Sequence, residues 1–295
     1  PDSIKKAYMP NIEEGRIHLV IGTHRLLSKE LHFKDLGLLI IDEEQRFGVE
    51  QKERIKEIKT NLDVLTLTAT PIPRTLQMSL VGIRSLSQLN SAPMNRMPIQ
   101  TYVMPYKDDV VKELLQRELG RKGQVFYIHN VVSTIYTKAT HITKLVPNAR
   151  VAVVHGQMER DEIEDTMVKF YNGEIDILVC TSIIETGIDI ANANMIIIEN
   201  ADCFGLSQLY QIKGRVGRGS RIAYAYLLYK ANKEMNDIAK KRLKAIQDFT
   251  ELGAGFKIAQ RDLMIRGAGD ILGAEQAGFI DSIGLDMYIK LLNEA

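Results

Sequence analysis

A chain of 295 residues with 45% hydrophobic and 25% charged side chains has the make-up of an ordinary globular protein and the length of about two domains. Its formal net charge of +1 excludes a globally basic nucleic-acid binder, so any such surface must be a local patch. Two cysteines in separate segments, Cys180 and Cys203, argue against a disulfide framework or a C-x-x-C metal site, no apolar run is long enough to cross a bilayer, and a reducing cytoplasmic setting is expected.

In chain order, short apolar β-branched runs alternate with amphipathic stretches. The runs are HLVIG at 18–22, LGLLIID at 36–42, VLTLTAT at 64–70, QVFYIHN at 124–130, RVAVVHG at 150–156, IDILVCTS at 175–182 and NMIIIEN at 194–200. Continuous apolar strands separated by helices predict an α/β fold with parallel sheets covered on both faces. Amphipathic helices are predicted over 108–119, 134–145 and 160–171, where polar residues occupy one face. The segment NSAPMNRMP at 90–98 has two prolines and no period, so it reads as a linker. Past residue 233 the texture changes. NDIAKKRLKAIQDF forms one helix with Ile238, Leu243, Ile246 and Phe249 as its apolar stripe, and glycines then become frequent. The expected domains are a first αβ unit over 1–97, a second over 98–232 and a helical hairpin with a glycine-rich loop over 233–295.

The most informative stretch is QLYQIKGRVGRG at 208–219. It sets Gln211, Gly214, Arg215, Gly217 and Arg218 at the end of a predicted helix, with the two arginines on neighbouring helical positions. A guanidinium keeps its charge and its planar fork suits phosphate oxygens. Aimed at a γ-phosphate, it stabilises the charge that develops as that group leaves. The plainer reading is a basic helix face in solvent. Asp42 and Glu43 directly follow an apolar strand, which puts them at the carboxyl edge of a parallel sheet, where ligands of such sheets bind. Asp42 suits Mg²⁺ held through water, and Glu43 suits an attacking water that it orients or deprotonates. An acidic helix start favoured by the macrodipole is the alternative.

Thr68, Ala69 and Thr70 close the next strand before Pro71; the small hydroxyl side chains can hydrogen-bond neighbouring loops, and a plain strand-to-turn junction is the alternative. Thr23, in Gly22-Thr23-His24, reads as a ligand contact or as a cap. Thr181 and Ser182 lie where a strand meets a helix start, a natural phosphate site that DNA can fill, while Gly187 and Asp189 can reach the nucleotide side of a cleft. Capping is the alternative for this run. His155 at a strand end can touch nucleic acid or make a structural hydrogen bond. Lys230, Lys233, Lys240, Lys241, Arg242 and Lys244 make a local basic cluster suited to phosphate contacts.

Taken in order, GTH, DEEQ, TATP, HGQM, TSIIETGID and QIKGRVGRG resemble the motifs of superfamily 2 helicases and translocases, over nearly the whole chain. The resemblance implies two RecA-like parallel-sheet lobes that clamp ATP with Mg²⁺. It makes Asp42 and Glu43 similar to the magnesium-binding and water-activating pair, Arg218 similar to the arginine finger with Arg215 beside it, Asp189 similar to a nucleotide contact, and Thr68 to Thr70 similar to the element that couples hydrolysis to lobe movement. The tail, from Phe256 through Arg266 to Gln276 and Gly278, is similar to the translocation motif of the RecG and transcription-repair-coupling branch, with Arg242, Arg266 and Gln276 matching its working residues. Ala268 and the run ELGAGFKIA resemble the coupling-factor side. Movement along double-stranded DNA is implied, with RNA polymerase and excision-repair proteins as partners through modules outside this chain. A RecG-like fork-remodelling helicase, a non-catalytic DNA-binding module and, more weakly, an RNA helicase stay open.

No G-x-x-x-x-G-K-[ST] occurs, and Gly120-Arg121-Lys122-Gly123 is not one. The resembled family places that phosphate-cradling loop ahead of the GTH element. The chain also opens without Met. An excised piece is expected, with an N-terminally truncated first sheet and little or no ATP hydrolysis alone.

Overall fold

A computed structural model describes residues 2–44, 47–58, 62–69, 85, 87–89, 97–182, 190–219, 221–231, 234–251 and 253–266. The chain divides into two compact units, Pro1–Ala69 and Thr70–Ala295.

In the first unit, α1 (Asp2–Glu13) precedes a single 3₁₀ turn, His24–Leu27, capped by Thr23. Two strands, β1 (Leu38–Asp42) and β2 (Asp63–Leu67), pair in parallel around α2 (Val49–Ile58), in the register Ile40 to Leu65 and Asp42 to Leu67. Side chains alternate across a strand, and the alternation shows: Ile41 is buried, whereas Leu38, Ile40, Leu65 and Leu67 are exposed. The predicted strand at 18–22 does not form; those residues carry no regular structure, and Leu19 and Ile21 are exposed. A strand exists only by exchanging hydrogen bonds with a neighbour, and no described strand lies beside this run.

In the second unit, six strands form one all-parallel sheet. They are β3 (Gln100–Pro105), β4 (Gln124–Ile128), β5 (Val151–Val154), β6 (Ile177–Cys180), β7 (Ala193–Ile198) and β8 (Tyr224–Tyr229), in the order β3-β8-β7-β4-β6-β5. Every residue of β4, β6 and β7 is buried, as continuous apolar runs predict for strands covered on both faces. Val125, Tyr127, Ile177, Val179, Met195 and Ile197 face one helical layer, α3 (Asp108–Gly120) and α4 (Ile135–Leu145). The alternate residues Phe126, Ile128, Leu178, Ile196 and Ile198 share the other core with α5 (Arg160–Tyr171), α6 (Leu206–Lys213), α7 (Asp237–Asp248) and α8 (Gly255–Arg266).

The connection leaving β4 runs toward β5, on one side, and that leaving β7 runs toward β8, on the other. Adjacent strands whose connections diverge open a crevice at their carboxyl ends, the usual ligand position of such sheets. A cavity of about 240 Å³ lies there, lined by Asn130, Glu199, Asn200, Gln208 and Lys230 among others.

Candidate functional site

Asp42 and Glu43 belong to the first unit. β1 ends at Asp42, whose side chain is exposed at the carboxyl edge. Glu43 follows in the left-handed region, with φ at 53°. That conformation costs a non-glycine residue about 1–3 kcal/mol and persists only where its surroundings impose it. Two bonds do so: the Glu43 amide donates to the Leu67 carbonyl at 2.9 Å, and its Oε1 accepts from the Ala69 amide at 3.1 Å. The carboxylate is thereby tied to the end of β2, where Thr68 and Ala69 lie exposed. Asp42 beside Glu43 fits magnesium chemistry, since that ion takes one or two carboxylates and keeps several waters. Among the described residues no group of three or more His, Cys, Asp or Glu could hold a metal by itself. Thr23 caps the 3₁₀ turn, its hydroxyl accepting from the Arg25 amide at 3.5 Å.

In the second unit the arginines do not ride the helix. α6 ends at Lys213, and the Arg215 and Val216 amides close tighter turns on the Ile212 and Lys213 carbonyls. Gly217 then takes φ at 74°, and a Cβ there would meet Ile99 Cγ1 at 3.0 Å and Ala223 Cβ at 3.2 Å. Glycine is required, because a side chain fits neither the dihedral nor the space. The consequence is a change of direction between Arg215, half-buried, and Arg218, exposed. Gln211 lies on α6, half-buried.

Residues following neighbouring strands gather at the carboxyl edge of the large sheet. Ser182, after β6, donates through both its amide and its hydroxyl to Asn130 Oδ1, after β4, at 3.3 Å each. Thr181 is buried, its amide bonded to the Val154 carbonyl. His155, after β5, is buried too; its Nε2 meets the Tyr136 hydroxyl at 3.2 Å and its Nδ1 accepts from the Gln157 amide. Arg242 is half-buried on α7, and Lys240, Lys241 and Lys244 are exposed on it. Thr70, Gly187, Asp189, Lys233 and Gln276 lie outside the described residues, as does the side chain of Arg266.

Two features had no place in the sequence reading. One is a buried polar network. Glu199, ending β7, accepts from the Tyr127 hydroxyl and Lys138 Nζ, each at 2.7 Å, and meets His129 Nδ1. His129 Nε2 continues to the Thr134 hydroxyl at 2.8 Å, and Lys138 lies over the Tyr106 ring. Burial alone pushes the Glu199 carboxyl upward, but the bonds from His129, Lys138 and Tyr127 outweigh it and hold it below the usual carboxylate range. The only sequence sign was a polar pair, His129 and Glu199, ending two wholly apolar strands. The other feature is Lys213, a buried lysine inside the arginine motif.

Comparison with known proteins defines the class. Residues 2–79 match the DEAD/DEAH box helicase family and residues 106–220 match the helicase conserved C-terminal domain. The chain belongs to the superfamily 2 helicases. Within that class it is similar to the transcription-repair-coupling factor of Staphylococcus haemolyticus, at 61% identity over 96% of this chain and 24% of that protein. The factor of Staphylococcus aureus strain USA300 is 58% identical over 100% of this chain and 25% of its own length. The chain thus spans about a quarter of these relatives. A solved structure of RecG bound to a three-way DNA junction matches at 34% identity and a TM-score of 0.71, covering 99% of this chain and 38% of that one. No helix among the described residues is long and apolar enough to cross a membrane.

Proposed function

We propose that this chain is the motor segment of an ATP-driven double-stranded DNA translocase of the transcription-repair-coupling kind. In this reading residues 1–97 and 98–232 are the two RecA-like lobes and 233–295 the translocation motif. Mg²⁺, held by Asp42 through water, neutralises phosphate charge when bound. Glu43 orients the attacking water, and Arg215 and Arg218 stabilise charge on the departing phosphoryl group. Thr68 to Thr70, Gly187, Asp189 and Gln211 serve nucleotide binding and coupling. Thr23, His155, Thr181, Ser182, Arg242, Arg266 and Gln276 serve the DNA. RNA polymerase and excision-repair proteins are the proposed partners of the longer protein, which acts in the cytoplasm.

The observation that supports this most is the bond from the Ala69 amide to the Glu43 carboxylate. It joins the proposed water-orienting group to the segment proposed to sense hydrolysis, so a change at one is felt by the other. The likeness to RecG favours a second reading, fork remodelling. A preference of the full-length protein for forked over plain duplex would select it.

The test is displacement of a third strand from linear duplex by the full-length protein carrying this chain. Displacement should require hydrolysable ATP, and Glu43→Gln should lower it by about a hundredfold or more, the scale of a lost acid–base group. Undiminished displacement by that variant would refute the assignment. The 295-residue chain alone, without a phosphate-cradling G-x-x-x-x-G-K-[ST] loop, should hydrolyse ATP poorly; brisk DNA-stimulated turnover by it would contradict that expectation.

A further inference from the structure

We propose that Lys213 is a positioning residue that ties the arginine-bearing end of α6 to the end of α7, passing movement of Arg215 and Arg218 to the helices that follow the sheet. The inference rests on the motor reading, and deepens it by naming the connection.

Three cations stand within six residues of the motif, and they face different ways. Arg218 is exposed and Arg215 half-buried, whereas Lys213 is only 4% exposed. Among the described residues its ammonium meets no carboxylate. It donates to the Phe249 carbonyl at 3.0 Å and the Ile246 carbonyl at 3.4 Å, and lies 5.7 Å from the centre of the Tyr210 ring. Ile246 belongs to the last turn of α7 and Phe249 is its cap. The carboxyl end of a helix presents unsatisfied carbonyls and a partial negative charge, which a nearby cation stabilises. α7 has no basic residue in its own last turn. Its basic residues, Lys240, Lys241, Arg242 and Lys244, all lie earlier along the helix. The cation at its end therefore comes from α6.

Burying an ammonium is unfavourable, and here it draws the group down to about 8. A methionine would fill similar space without that cost, so the charge serves something other than packing. What it adds is direction. The apolar cluster that Leu209, Ile212 and Val216 share with Leu243, Ile246 and Ile258 is held together by non-directional burial and tolerates sliding. Two hydrogen bonds to named carbonyls fix one register between the helices. Lys213 is two residues from both Gln211 and Arg215. A shift of those side chains against a phosphate thus pulls on the end of α7, and through α7 on α8, which packs against both helices.

The experiment uses Lys213→Met and Lys213→Arg in the full-length protein carrying this chain. ATP turnover on duplex DNA and third-strand displacement are measured together, with hydrogen exchange at the amides of residues 246–258. Lys213→Met should keep turnover within about threefold while displacement per ATP falls about tenfold, within the range of a lost coupling between sites, and exchange at the end of α7 should quicken. Lys213→Arg, which keeps a buried donor, should restore both. Unchanged displacement per ATP, turnover that falls in step with displacement, or unchanged exchange would overturn the proposal. If the unmodified protein displaces no third strand, the motor reading falls, and the exchange comparison alone decides whether the tie exists.

Discussion

Replacing Arg218 by alanine should lower DNA-stimulated ATP turnover of the full-length protein by about a thousandfold, the lower end of what a γ-phosphate arginine supplies. The physical basis is that charge builds on the phosphoryl oxygens only as the bond to the leaving group loosens, so the guanidinium matters more in the transition state than in the bound state. The effect should therefore fall on kcat, with KM changed by only about a few fold. Exposure supports Arg218 over Arg215 for this part, since Arg218 is exposed and Arg215 half-buried. Lysine at 218 should not rescue, because an ammonium lacks the planar fork that binds two oxygens at once. A change confined to KM would indicate uniform nucleotide binding instead.

Replacing Glu199 by alanine should destabilise the second unit by about 3–5 kcal/mol, the cost of leaving buried partners uncompensated. Lys138, His129 and Tyr127 all converge on that carboxylate, and no other acid is bonded to Lys138 or His129 among the described side chains. Urea unfolding should show the loss as a lower midpoint. The same carboxylate predicts an acid limb. Its folded-state value lies below the unfolded one, so it contributes stability above the unfolded value, about pH 4.3, and that contribution disappears as pH falls through the folded value. Asp176 acts in the same sense: burial raises its carboxyl, but bonds from Arg150 more than reverse this. Glu118 shifts the other way, raised by burial, and does not add to the acid loss. Glu199→Gln should flatten the acid limb as well as lower the midpoint. An unfolding free energy within about 1 kcal/mol of the unmodified protein's would contradict the network's role.

Much of the second unit could be read in the sequence because its central strands are buried on both faces. A continuous run such as MIIIE admits few other interpretations in so short a segment. β3 and β8 were missed. QTYVMP and YAYLLY carry tyrosines and polar residues, and β3 is an edge strand whose Tyr102 stacks on Tyr226 rather than entering the core. The run at 18–22 has strand composition without a partner, and composition cannot supply one. The arginine motif was legible as chemistry but not as geometry. The helix ends at Lys213, with Gly214 as its cap, before either arginine, so helical spacing did not apply. Lys213 was hidden for another reason: its partners are backbone carbonyls, and any residue at 246 and 249 would provide them.

If Glu43 and Arg218 are working groups of one motor, they act on the same phosphoryl transfer. Single-turnover ATP hydrolysis by Glu43→Gln, Arg218→Ala and the double variant measures this directly. If the two groups serve one step, the double variant should be slower than the worse single variant by no more than about threefold, because residues acting as a unit are not additive. Multiplied losses would place them in separate events, and a rate near that of the unmodified protein in either single variant would remove that residue from the chemistry.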